Sequence, residues 1–151
     1  MKKISILLII WLSTACTQQV LNTNKKKVAI QGYDPVAYFT EGEACKGDNA
    51  ITFSYQKVVY HFSSEDNKEL FKQSPEKYSP QYGGWCAYAM GKDGTKFSVN
   101  PSCFKIFDGK LYLFYKKLGI NTLDSWNKDE EKLKTQADEN WKRLLKTKIR
   151  Y

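Results

Sequence analysis

A histidine, a cysteine and a methionine are the residues of this sequence whose types best fit a chemical site. His61 is the only histidine in the chain, and it lies in an apolar run typical of a β-strand. Cys86 follows the glycine pair 83–84, and Met90 comes four residues later, on the same face if the segment is helical. Imidazole and thiolate suit copper or zinc, and a thioether favours copper. The three residues therefore predict a transition-metal site, with copper before zinc.

Two other interpretations of the same residues stay open. In the first, His61 is a half-exposed strand residue, Cys86 a small buried apolar residue and Met90 core filling. In the second, Cys86 and His61 are the nucleophile and base of a thiol-dependent enzyme, which requires the two groups within hydrogen-bond reach. No G-x-S-x-G, phosphate-binding-loop or H-E-x-x-H motif accompanies them. We therefore expect a protein that is not an enzyme.

Aromatic residues around these segments form a predicted aromatic surface. Their side chains join an apolar ring to a polar tip, so they suit a small-molecule groove or a protein partner. Ordinary packing with hydroxyl groups at the surface is the alternative. The residues are Tyr33, Tyr38, Tyr82, Trp85 and Tyr88. They support the alternative function, a structural or protein-interaction module without metal.

The first 15 residues have the pattern of a signal peptide. Lys2 and Lys3 precede an apolar run over residues 4–12, which is shorter than the about 20 residues needed to span a bilayer. Small residues then lead to Cys16, in a pattern similar to the lipobox of bacterial lipoproteins. We expect Cys16 to become the lipidated N-terminus. The alternative is ordinary cleavage after residue 15, which leaves a free thiol.

The leader also predicts location and partners. Residues 16–27 are polar after the cysteine and end in three lysines, so they predict a tether, and residues 28–151 predict one globular domain. The residue after Cys16 is not acidic, which resembles lipoproteins sorted to the outer membrane. We expect a periplasm-facing position there, with the membrane as partner through the lipid. The net charge of +8 is most simply explained by solvated lysines on a small domain; contact with anionic lipid is the alternative, and export separates the protein from nucleic acid.

Hairpins and helices are the predicted elements that position these residues. Strand-like runs at 51–55 and 58–62 are separated by two residues, and Asp108 with Gly109 forms a strong hairpin signal because both residues tolerate positive φ. Apolar residues between 123 and 145 recur mostly at helical spacing. The predicted fold class is α+β, a small antiparallel sheet of hairpins packed with short helices and a C-terminal amphipathic helix.

Several separated motifs resemble the YHS domain family, and most closely its small exported members. They are Gly-Tyr-Asp-Pro-Val-Ala-Tyr-Phe at 32–39, Tyr-His-Phe-Ser-Ser at 60–64, Pro-Glu-Lys-Tyr at 75–78, Tyr-Gly-Gly at 82–84, Asp-Gly-Lys-Leu-Tyr-Leu at 108–113 and Ala-Asp-x-Asn-Trp at 137–141. The likeness covers nearly the whole predicted domain. YHS modules often occur beside heavy-metal transport and oxidation systems, so the resemblance implies transition-metal handling.

The chain departs from the family in its cysteines. Metal-associated relatives have cysteines after the Tyr-x-Phe stretch and in pairs, whereas this chain has Ser63 and Ser64 there and no C-x-x-C. A four-ligand zinc site is therefore not expected. Cys45 and Cys103 stand where relatives usually have apolar residues, and in an exported chain this implies a disulfide between them. The alternatives are two free thiols, or pairing of either one with Cys86.

Overall fold

The computed structural model describes residues 21–148, and its elements confirm the predicted α+β class. The predicted signal peptide and Cys16 lie outside these residues. The helices of the described chain are α1 (Ala37–Thr40), α2 (Glu65–Gln73), α3 (Pro75–Tyr78), α4 (Ala87–Asp93), α5 (Thr122–Asn127) and α6 (Glu130–Lys148). Its strands are β1 (Asp48–Tyr55), β2 (Val58–Phe62), β3 (Asn100–Phe107), β4 (Lys110–Phe114), β5 (Lys116–Lys117) and β6 (Ile120–Asn121).

The strands pair as three antiparallel hairpins, β1 with β2, β3 with β4 and β5 with β6. Each hairpin closes through a two-residue turn in which both residues have positive φ, as a type I′ turn requires. These turns are Gln56–Lys57, Asp108–Gly109 and Leu118–Gly119. The sequence predicts the first two hairpins, and the structure confirms both. It does not predict the third, whose strands have only two residues each.

A buried carboxylate joins the two parts of the chain that precede α1 and α2. Asp34 is fully buried, and its Oδ1 accepts hydrogen bonds from the backbone N–H groups of Val36 at 2.8 Å and Ala37 at 3.3 Å. Its Oδ2 accepts from the Ser63 backbone N–H at 2.8 Å, the Ser63 hydroxyl at 2.7 Å and Asn67 Nδ2 at 2.8 Å. We call Asp34, Ser63 and Asn67 the buried junction, in which Asp34 and Asn67 are buried and Ser63 lies at the exposed edge. Through Asp34 it binds the backbone N–H groups at the start of α1 and the turn between β2 and α2.

The core consists of two aromatic clusters. In the first, the Phe71 ring of α2 lies against the face of β2 that carries Tyr60 and Phe62, with ring centroids 4.6 and 5.3 Å away. In the second, Trp126 of α5 packs against Phe114 of β4, with centroids 5.6 Å apart. The predicted C-terminal helix is two helices, α5 and α6. The longer one packs closely on α4, since a Cβ at Gly91 would stand 2.5 Å from a backbone oxygen of α6.

The end of the predicted tether is bound to the domain. The Asn22 backbone N–H donates to the Gly83 carbonyl at 2.7 Å, and its side-chain amide donates to the Gly84 carbonyl at 2.9 Å. Leu21 packs beside Gly83, where an added Cβ would lie 2.8 Å from Leu21 Cδ2. Leu21 and Asn22, which the sequence assigns to the tether, therefore contact the domain at the Gly83–Gly84 turn. Within the described chain, no helix combines the length and apolar character needed to cross a membrane.

Candidate functional site

His61 lies on the face of β2 that points away from the first core cluster. Along this strand Val58, Tyr60 and Phe62 are buried and belong to that cluster, while the alternate residue His61 is only half-buried. Its imidazole lies against the backbone at Gly32, where a Cβ would come within 3.3 Å of Nδ1. The histidine therefore packs on the chain segment before the buried junction.

Cys86 is fully buried at the start of α4, in the first core cluster. Its Sγ lies 3.4 Å from the Thr122 hydroxyl oxygen. The same hydroxyl group is within hydrogen-bond distance of the Tyr115 carbonyl, at 3.0 Å, so it links the cysteine to the end of β4. His61, on the opposite face of β2, and Cys86 are therefore not brought together in one site.

Met90 and Cys103 lie in the second core cluster, beside Phe114 and Trp126. The Cys103 thiol donates to the Asn121 side-chain oxygen at 3.2 Å, and burial raises the pKa of this thiol above its ordinary value. Because Asn121 and Thr122 are consecutive, the thiols of Cys103 and Cys86 are both bound at the junction of β6 and α5. The sequence predicts that Cys86 and His61 share a metal site. In the structure the neighbour of Cys86 at the start of α5 is Cys103 instead.

Cys45 is half-buried in the loop before β1, with its Sγ 3.9 Å from a Glu43 carboxylate oxygen. Partial burial and the negative charge of Glu43 raise the pKa of the Cys45 thiol. Cys45, Cys86 and Cys103 are all free thiols, so the disulfide predicted between Cys45 and Cys103 is not formed in this structure. Neither is a bond from Cys86 to one of the other two. Within the described chain, no group of three or more His, Cys, Asp or Glu side chains is placed to hold a metal ion.

The predicted aromatic surface is divided between interior and exterior. Tyr38 and Tyr82 are buried; their hydroxyl groups donate to the Pro101 carbonyl and to Asp138, both at 2.9 Å. Burial is the main reason why the pKa values of both tyrosines lie well above the ordinary value. Both are core residues, which corrects the prediction for them. The half-buried members are Tyr33, Trp85 and Tyr88.

The most exposed apolar side chains of the described residues lie in the hairpin that the sequence does not predict. We call residues 116–120 (Lys-Lys-Leu-Gly-Ile) the hairpin tip. Leu118 is 90% exposed and Ile120 is 58% exposed. At the base of the hairpin, Phe97 is 46% exposed and its ring meets the Tyr115 ring edge-on at 5.0 Å. The Leu-Gly pair is the only sequence signal of this turn, and it lacks the asparagine or aspartate usual at the first position.

Leu118 occupies a backbone conformation that its side chain disfavours. Its φ is +50°, in the left-handed region where a non-glycine residue costs roughly 1–2 kcal/mol. Ile30 and Tyr82 are also apolar and have positive φ, but both are buried and gain packing in return. Leu118 gains none. Neither local conformation nor packing within the chain explains a leucine at this position.

Comparison of the chain with protein-family models, with curated proteins and with solved structures gives no match.

Proposed function

We propose that this chain is a non-enzymatic, YHS-like interaction module that a lipid on Cys16 holds at the cell envelope. The signal-peptide pattern of residues 1–15 and the cysteine that follows support the location. The resemblance of the motifs supports the family. The exposed hairpin tip carries the choice of an interaction module, because its large apolar side chains are free to contact a partner.

The geometry of Cys86 argues against a thiol-dependent enzyme. A catalytic cysteine needs a thiolate that substrate can reach, beside a base that takes its proton. Cys86 is fully buried, lies within hydrogen-bond distance of the Thr122 hydroxyl and not of a base, and belongs to the cluster that His61 faces away from. These three observations support a packing role for this cysteine.

Membrane fractionation of the full chain tests the envelope anchor. The chain, expressed with its leader in a bacterium that makes lipoproteins, is expected in the membrane fraction, with a diacylglyceryl group on Cys16 in the mass spectrum. Cys16→Ser should move it to the soluble exported fraction. Cys45→Ser is the matched control and should leave it in the membrane fraction. An unlipidated N-terminus in the unchanged chain would overturn the anchor.

Transition-metal binding, copper before zinc, is the second candidate function, and the placement of two thiols favours it. Cys86 and Cys103 bind consecutive residues at the start of α5, and Met90 lies one helical turn after Cys86. Thiolate and thioether sulfur are the ligands that Cu(I) prefers. The donors we propose are thus Cys86 and Cys103 with Met90, in place of His61.

A Cu(I) titration of the reduced chain from residue 16 onward, with Cys16→Ser, tests this second function. Stoichiometric uptake that is lost in Cys86→Ala and in Cys103→Ala, and kept in His61→Ala, would support the sulfur site. Loss in His61→Ala would restore the histidine as a ligand. No uptake by the folded parent chain would exclude metal binding.

A further inference from the structure

The hairpin tip combines an apolar end with positive charge in very few residues. Leu118 projects from the turn at 90% exposure, and Ile120 follows it at 58%. Lys116 and Lys117 precede them and are both exposed. The apolar Leu118 thus lies at the end of the hairpin, and the two lysines lie on the strand that leads to it. This is the arrangement of side chains that enter the headgroup region of a bilayer while cations stay with the lipid phosphates.

The backbone of the tip is suited to a rigid insertion. Lys116 pairs with Asn121 and Lys117 with Ile120, so the strands are held in register up to the turn. At the root, the Thr122 hydroxyl accepts from the Tyr115 N–H and donates to the Tyr115 carbonyl, both at 3.0 Å. A hairpin fixed in this way loses little conformational freedom when its end is buried.

Phe97 and Tyr115 form an aromatic pair at the base of the hairpin. Phe97 is partly exposed and meets the half-buried Tyr115 edge-on. Aromatic rings with a polar group favour the boundary between lipid and water. Beyond this pair toward the turn, the side chains are those of the two lysines, the exposed apolar residues and Asn121.

We propose that the hairpin tip is a second membrane contact, in which Leu118 and Ile120 enter the interface of an anionic bilayer and Lys116 and Lys117 bind its phosphate groups. A leucine that is strained and unpacked in the free protein gains burial in this contact, which explains its presence at the turn. The inference rests on the proposed envelope location. It concerns the folded domain alone and is separate from the lipid on Cys16.

Vesicle co-sedimentation tests the contact without the lipid anchor. The chain from residue 16 onward, with Cys16→Ser, is mixed with vesicles of phosphatidylcholine alone or of phosphatidylcholine and phosphatidylglycerol. We expect binding to the anionic vesicles that weakens as salt is raised. No binding of the folded chain to anionic vesicles would overturn the proposal.

Leu118→Asn is the decisive variant, because asparagine favours positive φ and should keep the turn intact. We expect vesicle affinity to fall by about three- to tenfold, since a leucine side chain is no longer buried. Thermal unfolding should show a fold at least as stable as that of the parent. Leu70→Gln removes a partly exposed leucine from α2 and should bind as the parent does. Equal binding of Leu118→Asn and the parent would exclude insertion of the tip.

A charge-matched pair of variants separates the tip from general basic attraction. Lys116→Gln with Lys117→Gln, and Lys142→Gln with Lys146→Gln on α6, each remove two positive charges from exposed positions. The first pair should weaken anionic-vesicle binding more than the second. Equal losses would assign the attraction to net charge and overturn the specific contact. Loss of the Cys16 lipid in the fractionation experiment would contradict the anchor without altering these vesicle results.

Discussion

The buried junction and the hairpin tip are opposites: the first buries a polar group, and the second exposes an apolar one. At the junction, the Asp34 carboxylate is fully buried and accepts five hydrogen bonds from Val36, Ala37, Ser63 and Asn67. At the tip, Leu118 is almost fully exposed and its backbone is strained. A buried charge with all its partners is explained by folding alone. An exposed, strained leucine is not, so the tip is the better guide to function.

Removing the carboxylate of Asp34 should have the largest effect on stability. In Asp34→Ala the buried Asn67 amide loses one of its two acceptors, and the Ser63 donors and the backbone N–H groups of Val36 and Ala37 lose theirs. We expect a loss of about 3 kcal/mol or more in the free energy of unfolding, measured by urea denaturation.

Asp48→Ala is the matched control for that variant. Asp48 is exposed and accepts a single backbone hydrogen bond, from Ala50 at 2.8 Å. Its loss should change the free energy of unfolding by about 0.5–1 kcal/mol. If both variants lost the same free energy of unfolding, the hydrogen bonds of the buried junction would not be a main source of stability.

Exchanging turn residues between two hairpins should give effects of opposite sign. Asp108 and Leu118 hold the same turn position, with φ of +51° and +50°. Asp108→Leu should destabilise the domain by about 1 kcal/mol, and Leu118→Asn should stabilise it by a similar amount, because aspartate and asparagine tolerate positive φ better than leucine does. Thermal unfolding measures both. A Leu118→Asn variant less stable than the parent would show that the leucine contributes to the fold.

Glu130 is half-buried, between the buried Asp34 and the exposed Leu118. Its substitution should have the smallest effect on the free energy of unfolding. Burial alone would raise its pKa, but hydrogen bonds from Lys105 Nζ at 2.7 Å and Trp126 Nε1 at 2.8 Å outweigh burial and lower the pKa. A lowered pKa gives stability that is present above the ordinary glutamate range and is lost as pH falls through the lowered pKa. Glu130→Gln should therefore cost about 0.5 kcal/mol at pH 7.

The pH dependence distinguishes the charge of Glu130 from its shape. The difference in free energy of unfolding between Glu130→Gln and the parent should shrink as urea denaturation is repeated at acidic pH. A difference that stays constant from pH 7 down to the acid range would assign the effect to packing.

Local chemistry made much of the fold predictable. Two residues that tolerate positive φ, placed between apolar runs, identified the turn at Asp108 and Gly109. The periodicity of the C-terminal region predicted a helix but not its division into α5 and α6. Each correct prediction concerns an element whose conformation depends on residues that are close together in the sequence.

The site was less predictable because it depends on contacts between distant segments. Strand alternation determines that His61 faces away from Cys86, but only the tertiary structure shows which face of β2 the cysteine meets. Cys103 and Cys86 approach each other through Asn121 and Thr122, two residues that belong to no sequence motif. The tip was missed because leucine is a poor residue for its turn.

The contact of Leu21 and Asn22 with the domain limits how far the domain could lie from a lipid on Cys16. Four residues lie between Cys16 and Leu21, and Asn22 is already bound to the Gly83–Gly84 turn. The five residue steps from Cys16 to Leu21 reach at most about 18 Å. If Cys16 carries the proposed lipid, a linker this short keeps the domain at the bilayer, and a second membrane contact becomes intramolecular, with an effective concentration in the millimolar range. Even a weak contact between Leu118 and the bilayer would then be formed most of the time. It would determine which side of the domain faces the rest of the envelope.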